Sequence, residues 1–166
     1  MPDPIIEKYE NMLRDAGCST KVIAHCRAVT ECACEYAHSN SSVDFSLVQT
    51  GVMLHDIGRG ITHSIAHAQQ GADLLRSKGF SEKIARIVEC HTGAGLTADE
   101  CSLLGLSPRD CMPTTIEEKI VCHADNRLSG TRRTSIEEAI QSSSHLPKKA
   151  KLRMYHLAQE VELFCK

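Results

Sequence analysis

The sequence predicts an all-α fold, a bundle of about seven or eight helices that forms a single domain of residues 1–166. Apolar residues recur at intervals of three and four along most of the chain, as they do on the buried face of a helix. Serine, threonine or aspartate residues precede these stretches, and glycine or a polar turn ends them. A chain of 166 residues buries roughly 70% of its unfolded surface, which is enough for a core without disulfide bonds.

Five helices are predicted in the first half of the chain. The second has an apolar stripe that includes His25, so we expect His25 on a buried face. The fourth would carry His63 and His67 on one face, because residues four apart are neighbours on a helix. The predicted bounds are about Pro4–Ala16, Ser19–His38, Asp44–His55, Thr62 or His63 to Lys78, and Ser81–His91.

The second half of the chain is predicted to begin with a loop-like segment, residues 96–113, that contains one short helix. Three further helices follow this segment. A capping box, either Thr115 with Glu118 or Thr114 with Glu117, opens the first of these. Residues 129–133 read as a polar turn, and no strand is predicted. The predicted helices are a short one after Thr97, one that ends near Arg127 with Asp125 in its last turn, Ser135–Gln141 and Pro147–Phe164; those after residue 135 pack on the core of about residues 20–135.

Composition and charge exclude several classes of function. The net charge is −2 and basic residues are scattered, so we expect neither duplex nucleic acid nor a membrane surface as a partner. The N-terminus lacks an apolar signal-peptide core and no stretch approaches about 18 apolar residues, so we expect a cytoplasmic protein. Nine cysteines at irregular spacing indicate reduced thiols. Cys26, Cys90 and Cys122 neighbour candidate ligands and are interpreted as packing behind them.

A histidine and an aspartate stand side by side at the end of an apolar run, in Leu54-His55-Asp56-Ile57-Gly58-Arg59. Adjacent residues on a helix point about 100° apart, so one element can direct an imidazole to one metal ion and a bridging carboxylate to a second. Such a pair before a glycine is usually only a helix end. Further residues of ligand type make a metal site the better interpretation: His25, His67, His91 and Asp125.

This order of residues resembles the HD-domain metal-dependent phosphohydrolases, specifically a small stand-alone member of their HDIG branch, and it covers roughly residues 20–135. It is also similar to the two-metal members with the pattern H…HD…H…H…D, which include diadenosine tetraphosphate hydrolases. The resemblance implies an HD-domain helical bundle. It implies a first metal on His25, His55, Asp56 and Asp125, and a second on His67, His91 and the other oxygen of Asp56.

Four imidazoles and two carboxylates favour two divalent first-row transition metals, Fe, Mn, Co, Ni or Zn, over Mg or Ca. Two such ions would activate a bridging water and polarise phosphoryl oxygens. The expected reaction is therefore hydrolysis of a phosphate ester or anhydride of a nucleotide or related small molecule. The family pattern also implies that each imidazole is oriented through its other nitrogen, by partners that the sequence does not name. The oligomeric state stays open.

The supporting residues are predicted from their chemistry. Asp56 and His63 are the catalytic candidates, and Arg59, Arg132 and Arg133 are candidates for binding the substrate phosphate. His63 has three interpretations: an alternative ligand to His67, a general acid for the leaving oxygen, or a surface residue. His67 is preferred as the ligand because it precedes Gly71-Ala72, in the way that the third histidine of the family precedes a small-residue helix.

Two other functions stay open. Some HD-domain enzymes use the same ligands as a di-iron oxygenase, and phosphate release without O₂ would exclude that reaction. A non-catalytic module that binds metal or a nucleotide would hold metal and release no phosphate from any substrate. The substrate is not readable either, because three Tyr and three Phe residues form no stacking platform and the segment from Gly93 to Pro113 has no known signature.

Overall fold

The computed structural model describes residues 3–144 and 146–165, and within them the chain is almost entirely helical. The predicted all-α class is confirmed, with nine α-helices, one short 3₁₀ helix and one two-stranded hairpin in the described residues. The helices are α1 Pro4–Asp15, α2 Thr20–His38, α3 Phe45–Met53, α4 His67–Ser77, α5 Glu82–Glu89, α6 Ala98–Leu103, α7 Ile116–Asn126, α8 Ile136–Ser142 and α9 Lys148–Phe164.

Side-chain caps fix most of the helix starts. Each capping side chain accepts a hydrogen bond from a backbone amide, three residues later except at α1, where Asp3 accepts from Ile5, and this satisfies a donor that has no partner inside the helix. Of the two candidate capping boxes, Thr115 with Glu118 forms. Thr97 and Glu100 form a second box at α6. Predicted caps of this kind are present at Ser19, Asp44, Ser81 and Ser135.

The predicted end of α3 at His55 was wrong, because the helix stops at Met53. A 3₁₀ helix of residues Ile57–Gly60 follows. His55 and Asp56 therefore lie in the turn between the two helices, where the backbone changes direction. Because the backbone turns here, the side chains of two adjacent residues can point into the same site.

The predicted start of α4 at residue 62 or 63 was also wrong, because the helix begins at His67. Thr62 Oγ1 accepts from the Ser64 amide and Ser64 Oγ accepts from the Ala66 amide, each at 3.2 Å. These side chains bond to amides that would otherwise enter a helix, and so favour a turn. His63 lies in this turn and shares no helix face with His67.

A short hairpin replaces the predicted plain turn after α7. Strand β1, Leu128–Ser129, pairs antiparallel with β2, Arg132–Arg133. Gly130 in the loop has a φ of 61°, a left-handed conformation that favours glycine. Strands of two residues are too short to show alternation in a sequence, which is why the pattern did not reveal them.

Two large apolar clusters make up most of the core, and both contain direct chain neighbours of candidate ligands. One cluster joins α2, α3, α7 and α9 and contains Ala124, the residue before Asp125. The other joins α1, α2, α4 and α5 and contains Leu54 and Ile57, which flank the turn. Burial of these apolar neighbours therefore fixes the backbone on either side of the polar residues between them. No helix among the described residues is long and apolar enough to cross a membrane.

The 3₁₀ helix packs directly against α4 through glycine. A Cβ atom added at Gly58 would lie 1.9 Å from the backbone oxygen of His67 and 2.9 Å from the amide nitrogen of Gly71. A Cβ added at Gly71 would in turn lie 3.0 Å from the amide nitrogen of Gly58. The two backbones are in contact here, and this contact brings His67 next to Asp56.

Candidate metal centre

The structure brings all six predicted ligands into one site. Five separate elements supply them, so the site is formed only by the folded chain. His25 comes from α2, His55 and Asp56 from the turn after α3, His67 from the first residue of α4, His91 from the turn after α5, and Asp125 from the last turn of α7.

One half of the site surrounds the carboxylate of Asp125. Its Oδ1 lies 2.9 Å from Nε2 of His25 and 3.4 Å from Nε2 of His55. Oδ2 of Asp56 lies 3.7 Å from Nε2 of His25 and 3.6 Å from Nε2 of His55. These four residues are the set predicted for the first ion.

The other half of the site uses the second oxygen of Asp56. Oδ1 lies 3.2 Å from Nε2 of His67 and 3.3 Å from Nε2 of His91. The two imidazole nitrogens are themselves 3.1 Å apart. Asp56 thus presents one oxygen to each pair of histidines, which is the geometry of a carboxylate that bridges two cations.

Backbone carbonyls orient all four imidazoles. A carbonyl oxygen only accepts, so each Nδ1 donates its hydrogen, and in the neutral ring Nε2 directs its lone pair into the site. In three of the four cases the carbonyl belongs to the residue three positions earlier. The pairs are His25 with Gly130 at 2.6 Å, His55 with Val52 at 2.7 Å, His67 with Ser64 at 2.8 Å, and His91 with Val88 at 2.6 Å.

Two features of this polar cluster fit bound cations. Nε2 of His55 is buried and has no hydrogen-bond partner among the described residues. Nε2 of His67 faces Nε2 of His91 at 3.1 Å, where two lone pairs repel each other unless a cation or a proton lies beside them. Imidazole nitrogens oriented through a carbonyl, together with carboxylates, are the usual donors to first-row metals. The residues present therefore fit such ions.

The carboxylates in the site are held ionised. Burial alone would raise the pKa of Asp56, but the imidazoles of His55, His67 and His91 outweigh it and hold that pKa far below its usual range. Burial and the imidazoles of His55 and His25 oppose each other in the same way at Asp125, and its pKa is also lowered. Negative charge is therefore available where two cations would lie.

The imidazoles respond to the same opposing effects. Burial is the largest single effect on His55 and lowers its pKa, but the negative charges of Asp56 and Asp125 and the neighbouring Cys26 together outweigh it, and the pKa is raised well above its ordinary value. At His67 burial is the larger effect, and the pKa is lowered.

The buried thiols pack behind the site, in the position that we expected. The sulfur of Cys26 lies within 4.8 Å of ligand atoms of His55 and Asp56. Burial raises the pKa of the Cys26 thiol, which favours its protonated form. The Cys122 thiol donates to the carbonyls of Cys90 and Gly93, at 3.4 and 3.0 Å, and so supports the turn that carries His91.

Arg59 lies at the edge of the site and His63 lies on the surface. Nε of Arg59 is 3.6 Å from Oδ1 of Asp56, and its Nη1 donates to the backbone carbonyl of His63 at 2.7 Å. The side chain of His63 is exposed. The structure therefore places Arg59 within reach of an anion at the site and holds the His63 turn beside it.

The two arginines of the hairpin differ in their surroundings. Arg132 lines a cavity of about 300 Å³ together with Asp125. Both terminal nitrogens of Arg133 instead bond to Glu35 on the neighbouring helix α2, at 2.9 and 2.6 Å. Arg132 donates to Glu138 through one nitrogen, at 3.4 Å. The phosphate role of the three arginines stays a prediction, and the guanidinium of Arg133 is the most firmly paired with a carboxylate.

Sequence reasoning did not identify the contacts that hold the turn after His91. Nδ2 of Asn126 donates to the carbonyl of Gly93 at 2.7 Å and so ties this turn to α7. Gly130, whose carbonyl orients His25, was likewise read only as part of a turn. The one available signal was the position of Asn126 directly after Asp125.

Comparison with known proteins places these features in a family. The model of the family described as HD domain matches residues 22–129. An uncharacterized protein of Methanocaldococcus jannaschii is 48% identical over 139 residues, which cover 81% of this chain and 82% of that protein. A ribonuclease Y of Acidothermus cellulolyticus is 30% identical over 109 residues, which cover 63% of this chain and 19% of that protein.

Other similar proteins differ in name or in length. A tRNA (cytidine(56)-2′-O)-methyltransferase of Thermoplasma volcanium is 40% identical over 132 residues, which cover 80% of this chain but only 39% of that protein. The crystal structure of the HD domain of the L. monocytogenes phosphodiesterase PgpH, in complex with cyclic-di-AMP, superposes with a TM-score of 0.57 at 19% identity, over 97% of this chain and 84% of that one. This likeness shows that the two chains share a fold.

Proposed function

This chain belongs to the HD domain family, and from that premise we propose that it is a metal-dependent phosphohydrolase that cleaves a phosphodiester of a nucleotide or of single-stranded RNA. The observation that carries the proposal is the position of Asp56, with one carboxylate oxygen at 3.2–3.3 Å from His67 and His91 and the other at 3.6–3.7 Å from His55 and His25. A site of this form suits two divalent first-row ions.

When bound, two such ions lower the pKa of a water molecule and polarise the phosphoryl oxygens. The residues of the chain do the remaining work. The ligands are fixed before substrate arrives, because carbonyls orient the imidazoles and the apolar clusters hold the turns that carry them. Arg59 and Arg132 bind the non-bridging phosphate oxygens, since a guanidinium donates two parallel hydrogen bonds to phosphate. His63, exposed in the turn that Arg59 holds, donates a proton to the leaving oxygen.

The names of the relatives support a phosphodiester in preference to other phosphate esters. The sequence relative named ribonuclease Y and the structural relative named a phosphodiesterase both carry names for cleavage of phosphodiesters. The methyltransferase-named relative is about two and a half times as long as the matched region, so its name gives no activity to this part of it. A net charge of −2 argues against binding of long duplexes.

The test combines metal analysis with a substrate screen. Purified protein is analysed for metals, loaded in turn with Mn, Fe, Co, Ni and Zn, and assayed on cyclic dinucleotides, cyclic mononucleotides, dinucleoside polyphosphates and short single-stranded RNA. We expect two ions per chain and phosphodiester cleavage that does not require O₂. His67→Ala should lose one ion and nearly all activity, whereas the exposed residue of α9 changed in His156→Ala should lose neither.

Three outcomes would contradict the proposal in different ways. Activity that requires O₂ would indicate an oxygenase. Two tightly bound ions without cleavage of any substrate under any metal would indicate a binding module. A single ion that His67→Ala does not displace would remove the two-metal mechanism.

A further inference from the structure

A second cavity, of about 390 Å³, lies beside the candidate metal centre. Helix α6, the start of α9 and the turn after His91 form its walls. Its lining is mostly apolar and includes Leu96, Leu103, Leu104, Leu146, Ala150 and Met154. Leu103 is 87% exposed and Leu104 is 48% exposed, so the core does not account for apolar residues at these positions.

The cavity lies next to the candidate metal centre. Thr92 and Gly93, which line it, directly follow His91 in the chain. Asn126, Ser143 and Met154 line both this cavity and the one that contains Asp125. The apolar cavity therefore adjoins the cavity that contains Asp125, and a substrate with its phosphate at the metal centre would have its remaining part near these shared residues.

Polar groups stand at the edge of the apolar walls. Arg153 and Glu100 form a paired contact, with Nη1–Oε1 at 2.9 Å and Nη2–Oε2 at 2.8 Å. Nε of Arg153 and Oγ1 of Thr92 are buried and have no partner within residues 3–144 and 146–165. The guanidinium also presents a flat face, on which planar rings stack. The cavity thus combines apolar walls with a planar cation and polar atoms that lack partners.

We propose that this cavity binds the nucleobase of the substrate, so that base and phosphate are held at adjacent sites. The inference rests on the proposed function, because it takes the phosphate to lie at the metal centre. A base has two flat apolar faces and an edge of hydrogen-bonding atoms, and the walls and polar edge of the cavity match these. A volume of about 390 Å³ falls in the range of small-molecule pockets, roughly 300–1,000 Å³.

This assignment also accounts for the shortage of aromatic residues. Among the described residues that line the cavity, none is aromatic. Leucine and methionine side chains and the plane of Arg153 would therefore contact the base in place of an aromatic platform. Such contacts are made with the flat face of the ring, which every base has. They would therefore bind several bases and select weakly among them.

The experiment measures binding, so it does not depend on turnover. Affinities of the four nucleoside 5′-monophosphates and of ribose 5-phosphate for the metal-loaded protein are measured by calorimetry. The two kinds of ligand differ only in the base. We expect at least one nucleotide to bind about tenfold or more tighter than ribose 5-phosphate, as base stacking commonly provides.

Two variants place an obstacle in the cavity. Leu104→Asp puts a charge on its wall, and Ala150→Trp fills its volume; both should abolish the preference for the nucleotide and leave binding of ribose 5-phosphate unchanged. Leu152→Asp is the control, since Leu152 lies on α9 outside the cavity. Its exposed fraction of 51% is similar to the 48% of Leu104. Equal binding of nucleotides and ribose 5-phosphate to the unaltered protein would overturn the inference, and so would a preference that survives in both variants.

The two proposals fail in distinguishable ways. A protein that cleaves no phosphodiester but prefers nucleotides in a Leu104-dependent manner would retain the base site and lose the proposed reaction. A protein that cleaves phosphodiesters with the same preference in the unaltered protein and in both variants would retain the reaction and lose the base site.

Discussion

Substitution of Gly58 by alanine tests whether the contact between the 3₁₀ helix and α4 positions His67 in the proposed two-metal site. The added Cβ would lie 1.9 Å from the backbone oxygen of His67, whereas ordinary contact begins near 3.4 Å, so the two backbones must separate by about 1.5 Å. Metal–ligand distances tolerate deviations of only about 0.2 Å. His67 would therefore no longer share an ion with Asp56 and His91.

We expect Gly58→Ala to cost about 1–3 kcal/mol of stability, as overpacking does, and to weaken binding of one ion by at least about tenfold to a hundredfold. Elemental analysis should give one ion per chain where the unaltered protein has two, and thermal unfolding should give the loss of stability. The ion proposed to lie at His25, His55 and Asp125 should remain, because the three atoms nearest to the added Cβ belong to His67 and Gly71.

A matched substitution separates strain in the core from damage to the site. A Cβ at Gly51 would lie 2.7 Å from Cδ1 of Ile87, so Gly51→Ala also overpacks the core but touches no ligand. It should lose stability and keep both ions. Gly71→Ala, whose Cβ would lie 3.0 Å from the Gly58 amide, should be intermediate in both measurements. If Gly58→Ala folds and binds both ions as tightly as Gly51→Ala does, the contact does not position His67 and the reasoning is refuted.

Three further predictions concern charged residues around the site. Burial raises the pKa of Glu89, but its hydrogen bonds to Arg76 and Arg109 together outweigh burial, and the pKa is lowered from its ordinary value of 4.5. The stabilisation that ionised Glu89 gives the folded protein is therefore complete above pH 4.5. It is lost as the pH falls through the lowered pKa. Glu89→Gln should cost about 1–3 kcal/mol at neutral pH, with the difference from the unaltered protein shrinking in acid unfolding curves; a constant difference would exclude an ionic origin. Arg59→Ala should raise KM for a phosphodiester about tenfold to a hundredfold. Arg59→Lys should raise KM less, because lysine keeps the charge but not the paired hydrogen bonds. Equal increases in KM for the two variants would argue against paired hydrogen bonds to phosphate. Arg133→Ala should change stability by less than about 1 kcal/mol and leave KM unaltered, so a large rise in KM would restore it as a phosphate ligand.

The sequence predicts the helices well because their signals are local. Caps such as Ser19 and Ser81 lie within three residues of the amide that they bond, and the apolar stripes repeat within each helix. The errors fall where another interaction competes with the helix. Side chains of Thr62 and Ser64 delay the start of α4 by bonding nearby amides, and a glycine contact between distant segments keeps residues 57–60 in a tighter turn.

The six candidate ligands could be predicted as a set because their types and order resemble a family pattern. The partners that orient the four imidazoles could not be predicted in this way. Three of the four carbonyls that fix the imidazoles lie three residues before the histidine, at Val52, Ser64 and Val88. This spacing is visible in the sequence once the histidine is known to follow a turn or the end of a helix, where carbonyls have lost their helical partners. Gly130 lies 105 residues from His25, and only the fold brings them together.

The proposed chemistry of the site and its proposed substrate specificity depend on different parts of the fold. The candidate ligands lie on helices and turns held by the two apolar clusters and by the contact of Gly58 with α4, so their geometry depends on the core. The proposed base site is formed by α6 and the start of α9, where Leu103 and Leu104 are exposed and contribute little to the core. Substitutions in α6 should therefore alter the preference among substrates while the metal content and the melting temperature stay constant. Loss of metal on changing Leu103 or Leu104 would show that the two parts are coupled, and that specificity cannot vary independently of the metal centre.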